Sequence, residues 1–271
     1  MNDKSAVTAA GKKSRGYRDI LYEVKDQVAW VTINRPRVMN AFREQTLDEM
    51  IDAFKSTRED PSIACAVVTG AGDKSFSAGG DFGVLTKMND SEIYRRKTLD
   101  EGARIVRSMA GFPLPIVAAV NGPAVGLGCS LAGLCDIVLI ESSAYLADPH
   151  VSVGLVAGDG GAITWPALMS LLKAKEYLFL GDRISSEVAV ELGLANRVVL
   201  DGTSVEEALA LAHRLAKQPA QALRDTKRAI NRHLQMSIHA VLDYALSAEA
   251  ISSASSEHRA IVDRMSAPRE R

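Results

Sequence analysis

The chain has 271 residues, of which 47% are hydrophobic and 24% charged, the balance of an ordinary globular protein with one large core and room for an appended element. A formal net charge of −1, with no long basic run, gives no sign of a nucleic-acid partner, while a small anionic ligand stays open because local charge can differ from the total. The three cysteines, Cys65, Cys129 and Cys135, lie in or beside apolar segments without CxxC or Cys/His spacing, which argues against a disulfide framework and against zinc and points to a reducing cytoplasm.

Residues 1–16, "MNDKSAVTAAGKKSRG", are polar and lack the apolar core of a secretory signal, so a disordered leader is expected there. "ILYEVKDQVAWVTINRP" reads as a hairpin, with strands near 20–24 and 27–33 and a turn at Lys25-Asp26. In "NAFREQTLDEMIDAFKSTRED" the residues Phe42, Leu47, Met50, Ile51 and Phe54 recur at close to helical period. "IACAVVTGAG" and "LPIVAAVNG" are short apolar runs that fit buried strands, and "SEIYRRKTLDEGARIVRSMAGF" between them is an amphipathic helix. "GLGCSLAGLCD" is a helix opening on glycine, followed by a strand at "DIVLIE". "GDGGAITWPALMSLLKAKEYLFLG" is a glycine turn feeding a helix. "SSEVAVELGLAN" is a short helix with Ser185 as its N-cap, and "RVVL" is a closing strand. From about 203 to 265 the pattern is helical throughout. The longest apolar region, "FPLPIVAAVNGPAVGLGCSLAGLCDIVLI", is too interrupted by proline, asparagine and glycine for a membrane span of about 20 residues. The outline is an α/β core over 17–200 with a helical region over 201–271.

The strings "INRPRVMNAF", "KSFSAGGD", "PIVAAVNGPAVGLGCSLAGLCDIVL", "GLVAGDGG" and "EVAVELGLANRVV" resemble, in the same order, the successive signatures of the crotonase (enoyl-CoA hydratase/isomerase) superfamily. The resemblance implies a spiral of ββα turns with C-terminal helices that mediate trimers, often paired into hexamers. It also implies acyl-CoA ligands, an enolate-type intermediate, and no cofactor beyond the coenzyme A of the substrate. By the same resemblance the N–H groups of Gly80 and Leu127 form an oxyanion hole, with Leu127 standing where the family usually has glycine. The physics of such a site favours glycine turns independently. Backbone donors reach a developing oxyanion only where no side chain intervenes, and the second turn also opens a helix whose positive end favours an anion. Ala78 beside the first turn is a candidate substrate contact. Arg35 and Arg37 border the expected CoA path, and Lys227 in the helical region is a candidate for a phosphate.

The acids depart from the pattern. Hydratases of the superfamily carry one glutamate after the second oxyanion turn and another in a "PE" pair; here those positions are Ser130 and His150. His150 suits proton transfer near neutral pH, and Asp159, nine residues on, is placed to orient its ring if the intervening loop folds back. An N-cap on the following helix is the bland alternative for Asp159. The His/Asp pair resembles the β-diketone hydrolases of the superfamily, such as 6-oxocamphor hydrolase, whose further acidic residue matches Glu249 by position. Three readings stay open: a histidine-based hydratase or isomerase, a C–C bond hydrolase of a β-diketone or β-ketoacyl compound, and a non-catalytic acyl-CoA binder. His213, His233, His239 and His258, among charges on helical segments, read as solvated, and "FGVLTKMNDSEIY" as a variable loop shaping the pocket.

Overall fold

The computed structural model describes residues 16–266. Apart from Gly16, the leader expected over 1–16 lies outside them, as do residues 267–271 of the helical region. The chain opens with β1 (Ile20–Lys25) and β2 (Val28–Ile33), paired antiparallel through a tight turn at Asp26 and Gln27, both with positive φ. The turn thus falls one residue later than the sequence suggests. After α1 (Glu44–Glu59) come β3 (Cys65–Gly70), α2 (Phe82–Asp90) and α3 (Glu92–Ala110). The spiral follows: β4 (Ile116–Val120), β5 (Ala124–Val125), α4 (Leu127–Gly133), then β6 (Ile137–Glu141), β7 (Tyr145–Ala147), α5 (Gly161–Leu168), α6 (Leu171–Leu180). It closes with β8 (Ile184–Ser185), α7 (Ser186–Leu192) and β9 (Arg197–Val199).

Successive turns place one strand in each of two sheets. The larger runs β1-β2-β3-β4-β6-β9 and is parallel from β2 onward; the smaller runs β5-β7-β8. This is the ββα repeat that the resemblance implies. The strands of the small sheet are two or three residues long, too short to show period-two alternation. The helical region is α8 (Ser204–Ala216), the 33-residue α9 (Ala220–Ser252) and α10 (Ser256–Ser266). Among the described residues, no helix is long and apolar enough to cross a membrane.

The parallel strands β3 and β4 are buried at every residue, which is why they read as unbroken apolar runs. Two expectations change. Residues 82–90, taken as loop, form α2, whose N-cap Asp81 accepts a hydrogen bond from the Gly83 N–H at 2.9 Å and pairs with Arg35 at 2.9 Å. The single helix after "GDGG" is two, because Pro166 sits inside α5 and Ser170 caps a new start, accepting from the Lys173 N–H. Ser185 caps α7 as expected.

Candidate active site

A cavity of about 550 Å³ opens between the two sheets' connecting turns, α2, α3 and the C-terminal helices. Most of its wall is apolar: Phe42, Leu47, Val84, Leu85, Leu99 and Leu246 are typical. Gly80 and Leu127 both line it. Gly80 pairs with Phe42 in a parallel bridge that uses the Gly79 carbonyl (2.7 Å from the Phe42 N) and the Asp81 N–H (2.9 Å to the Phe42 O). In that arrangement the N–H of Gly80 itself points away from Phe42. Leu127 is the first residue of α4, so its N–H has no acceptor one turn earlier in the helix. The two turns are pressed together. Gly79 has φ +84°, and a Cβ there would fall 2.7 Å from the Val125 carbonyl oxygen; one on Gly128 would fall 2.8 Å from the Ser77 Cβ. Only glycine lets the backbones meet this closely.

His150 follows β7 and Asp148. Its carbonyl accepts from Val153 and Leu155, which fixes the loop, and its ring lies over the second turn, with Cε1 3.5 Å from where a Cβ on Gly126 would be. The ring is held from both sides. Nδ1 contacts the Oδ1 of Asp148, a side chain with no solvent exposure, while Nε2 is 3.4 Å from the Oδ2 of Asp159. The structure therefore gives the orienting position on Nδ1 to Asp148, and Asp159 sits on the cavity side, beside Nε2. Asp148 was missed because "ADPH" carries no spacing signal beyond a carboxylate two residues from a histidine. Burial alone pushes the His150 pKa down; the two carboxylates overcome it, and the ring is held well above its ordinary 6.5.

Asp159 is not the N-cap of α5; Gly160 is, with no side-chain cap. Its Oδ1 instead accepts from the Ser130 hydroxyl at 3.3 Å, so Ser130 touches the acid cluster rather than standing apart from it. Glu249, from the last turn of α9, reaches the same cavity and is 5% exposed. Its approach depends on Gly158, where a Cβ would sit 2.5 Å from Glu249 Oε2. Burial first, then the negative charge of Asp159, raises the Glu249 carboxyl to about 8, although His150 opposes that rise. Its Oε2 is buried with no hydrogen-bond partner.

Ala78 lines the cavity. Arg37 is exposed in the 3-10 turn Pro36–Val38, next to the lining residue Val38. Lys227 is placed elsewhere: the residue is 7% exposed, and its ammonium donates to the Leu114 carbonyl at 2.7 Å and Asp136 at 2.6 Å and lies over Phe112. Its charge is already committed to Asp136 and it does not line the cavity, so it is not placed to meet a phosphate there. His258, expected in solvent, is fully buried, with Nδ1 2.6 Å from the Val153 carbonyl below the His150 loop. Among the described residues no cluster of three or more His, Cys, Asp or Glu is arranged to hold a metal.

A spiral of ββα turns with two glycine-bearing bends facing one cavity defines an enzyme of the crotonase class. The profile of the enoyl-CoA hydratase/isomerase family matches residues 23–260. The chain belongs to that family. It is 35% identical to the crotonyl-CoA hydratase of Syntrophomonas wolfei over 234 residues, 86% of this chain and 88% of that protein. Among solved structures, an enoyl-CoA hydratase/isomerase from Mycobacterium paratuberculosis is 48% identical with a TM-score of 0.87, covering 91% of this chain and 98% of its own. A β-diketone hydrolase from the cyanobacterium Anabaena, bound to (S)-3-oxocyclohexyl acetic acid, is 27% identical with a TM-score of 0.79, covering 88% and 95%.

Proposed function

We propose that this enzyme acts on an acyl-CoA thioester or closely related carbonyl compound through an enolate, and that its reaction is hydrolytic cleavage of the C–C bond between two carbonyls. The observation that carries this reading is the convergence of His150, Asp159 and Glu249 on one apolar cavity, with Ser130 at the position of the missing glutamate. In the reaction, Nε2 of neutral His150 takes a proton from water, while Nδ1–H stays on Asp148. The hydroxide adds to one carbonyl carbon, and the bond to the neighbouring α-carbon breaks. Its electron pair passes into the second carbonyl as an enolate, whose oxygen the Gly80 and Leu127 N–H groups receive; each such donor is worth about 3 kcal/mol. Asp159 stabilises the imidazolium. Glu249, kept neutral by its raised pKa, gives its proton to the α-carbon and is reprotonated from the histidine. The products are a carboxylic acid and the shortened carbonyl compound.

A second reading is supported by the 35% identity to a crotonyl-CoA hydratase: Asp159 and Glu249 are two carboxyls in one cavity, the number a hydratase uses. Assaying β-ketoacyl-CoA and cyclic β-diketones beside crotonyl-CoA separates the two. The proposal expects acid release from the dicarbonyl compounds, with His150→Ala lowering kcat by about 10²–10⁴-fold. Efficient hydration of crotonyl-CoA with inert dicarbonyls favours the hydratase; an unchanged rate in His150→Ala removes the histidine from the chemistry.

A further inference from the structure

The cavity has a second polar face, contributed by α3, that the mechanism above does not use. Glu101 lines the cavity with its side chain 4% exposed, and its Oε2 is buried with no hydrogen-bond partner. Thr98, three residues earlier and therefore on the same helix face, also lines it, and its Oγ1 likewise lacks a hydrogen-bond partner. Buried oxygens left unpaired are costly, and two on one face ask for a ligand that satisfies both. An independent sign comes from Gly102. It lies in the interior of α3, where glycine is a poor helix former, yet a Cβ there meets nothing within 4 Å. No packing constraint demands glycine; what its absent side chain leaves free is cavity beside Glu101.

We infer that Thr98, Glu101 and Gly102 form a subsite for a neutral hydroxyl group on the acyl part of the substrate, which donates to Glu101, accepts from Thr98 and occupies the space over Gly102. The inference rests on the reading that this cavity takes an acyl-CoA or related carbonyl compound, and it narrows that class to hydroxylated acyl groups. A carboxylate is disfavoured because Glu44 also lines this wall and would repel it. A cationic ligand is disfavoured because Lys97, at the solvent edge, already contacts Glu44 and stands 3.7 Å from Glu101 Oε1.

Binding tests this apart from turnover. Saturated acyl-CoA thioesters of graded chain length, each ending in methyl, hydroxyl or carboxylate, are titrated calorimetrically into the full chain. At one or more lengths the hydroxyl form binds about tenfold tighter than the methyl form, the size of one buried hydrogen bond, and the carboxylate form binds weakest. Glu101→Leu erases the preference while keeping the methyl form bound, and Glu101→Gln retains part of it. Gly102→Ala raises the melting temperature but weakens the hydroxyl form. A methyl form that binds as tightly as the hydroxyl form at every length overturns the subsite while leaving the acyl-CoA reading intact. So does a Glu101→Leu variant that keeps the preference. Failure of every thioester to bind overturns the subsite together with the thioester half of the substrate reading.

Discussion

The two glycine-bearing turns and the His150–Asp159–Glu249 cluster share one cavity but are built by opposite means. Each turn is made within a few consecutive residues, by backbone: Gly79 and Gly80 in one, Gly126 and Leu127 in the other. The cluster is made of side chains from distant places: Asp148 and His150 after β7, Asp159 before α5, Glu249 on α9. The difference shows where chemistry can change. A backbone donor survives replacement of its side chain, so leucine is tolerated at 127 because its N–H still heads α4. A side-chain acid has no such substitute. With serine at 130, the ionisable groups in the cavity come from other elements, and Ser130 meets one of them, Asp159.

The sharpest attack on the cluster is Glu249→Gln, which keeps shape and removes the proton. A fall in kcat of about 10²–10⁴-fold is expected. Stability moves the other way. In the folded chain the carboxyl titrates at about 8, against 4.5 ordinarily, so unfolding above pH 4.5 releases a proton that the native state holds. The native state therefore loses stability as pH rises from 4.5 to about 8 and the loss levels off beyond. The glutamine variant escapes that loss, by roughly 3 kcal/mol near pH 7. Urea titrations of both forms at pH 5 and pH 8 check it; equal pH dependence would mean that Glu249 is not held neutral.

On the other side of the comparison, Gly79→Ala strikes the backbone. Its φ of +84° and the 2.7 Å approach to the Val125 carbonyl oxygen force the turn to shift, taking the Gly80 N–H off its line. Loss of one oxyanion donor costs about 10²–10³-fold in kcat. Binding of the ground-state thioester should change far less, which steady-state kinetics set against calorimetry would show. A matched loss in both would make the turn a general packing feature.

The two constructions also explain what the sequence made legible. The turns are local, so "SAGGD" and "VGLG" carried them. The long elements announced themselves by period: α1, α3, β3 and β4 lie where their apolar spacing puts them. The small sheet escaped because strands of two or three residues have no period to read, and α2 escaped because it is only nine residues long and opens on Phe82-Gly83, which leaves Val84 and Met88 as a short apolar stripe. In the cluster, the His150–Asp159 pairing followed from a short loop, but the roles on the two ring nitrogens did not. Which carboxylate meets Nδ1 depends on the chain reversal between β7 and the 3-10 turn at Val151–Val153, set by tertiary packing against Gly161 and His258. Lys227 was misjudged for the same reason: only the fold brings Asp136 to its ammonium.

The smallest expected effect tests those roles most finely. In Asp148→Asn the ring keeps a hydrogen-bond partner at Nδ1 but loses the nearer of its two negative charges. Asp148 is the larger of the two charge contributions that hold the His150 pKa above 6.5, so its neutralisation lowers the pKa, with Asp159 left as the only opposing charge. In the proposed mechanism neutral His150 is the base. The rising limb of kcat/KM against pH should therefore move to lower pH. The pH slope has the same sign as for Glu249, since folding raises both pKa values, but this substitution destabilises where Glu249→Gln stabilises. A histidine pKa raised by folding contributes stability that is full below 6.5 and fades as pH rises through the folded value, so the asparagine variant should lose most at acid pH and least at alkaline pH. A limb that stays in place, with a uniform loss of rate, would assign Asp148 to packing and return the orienting role to Asp159.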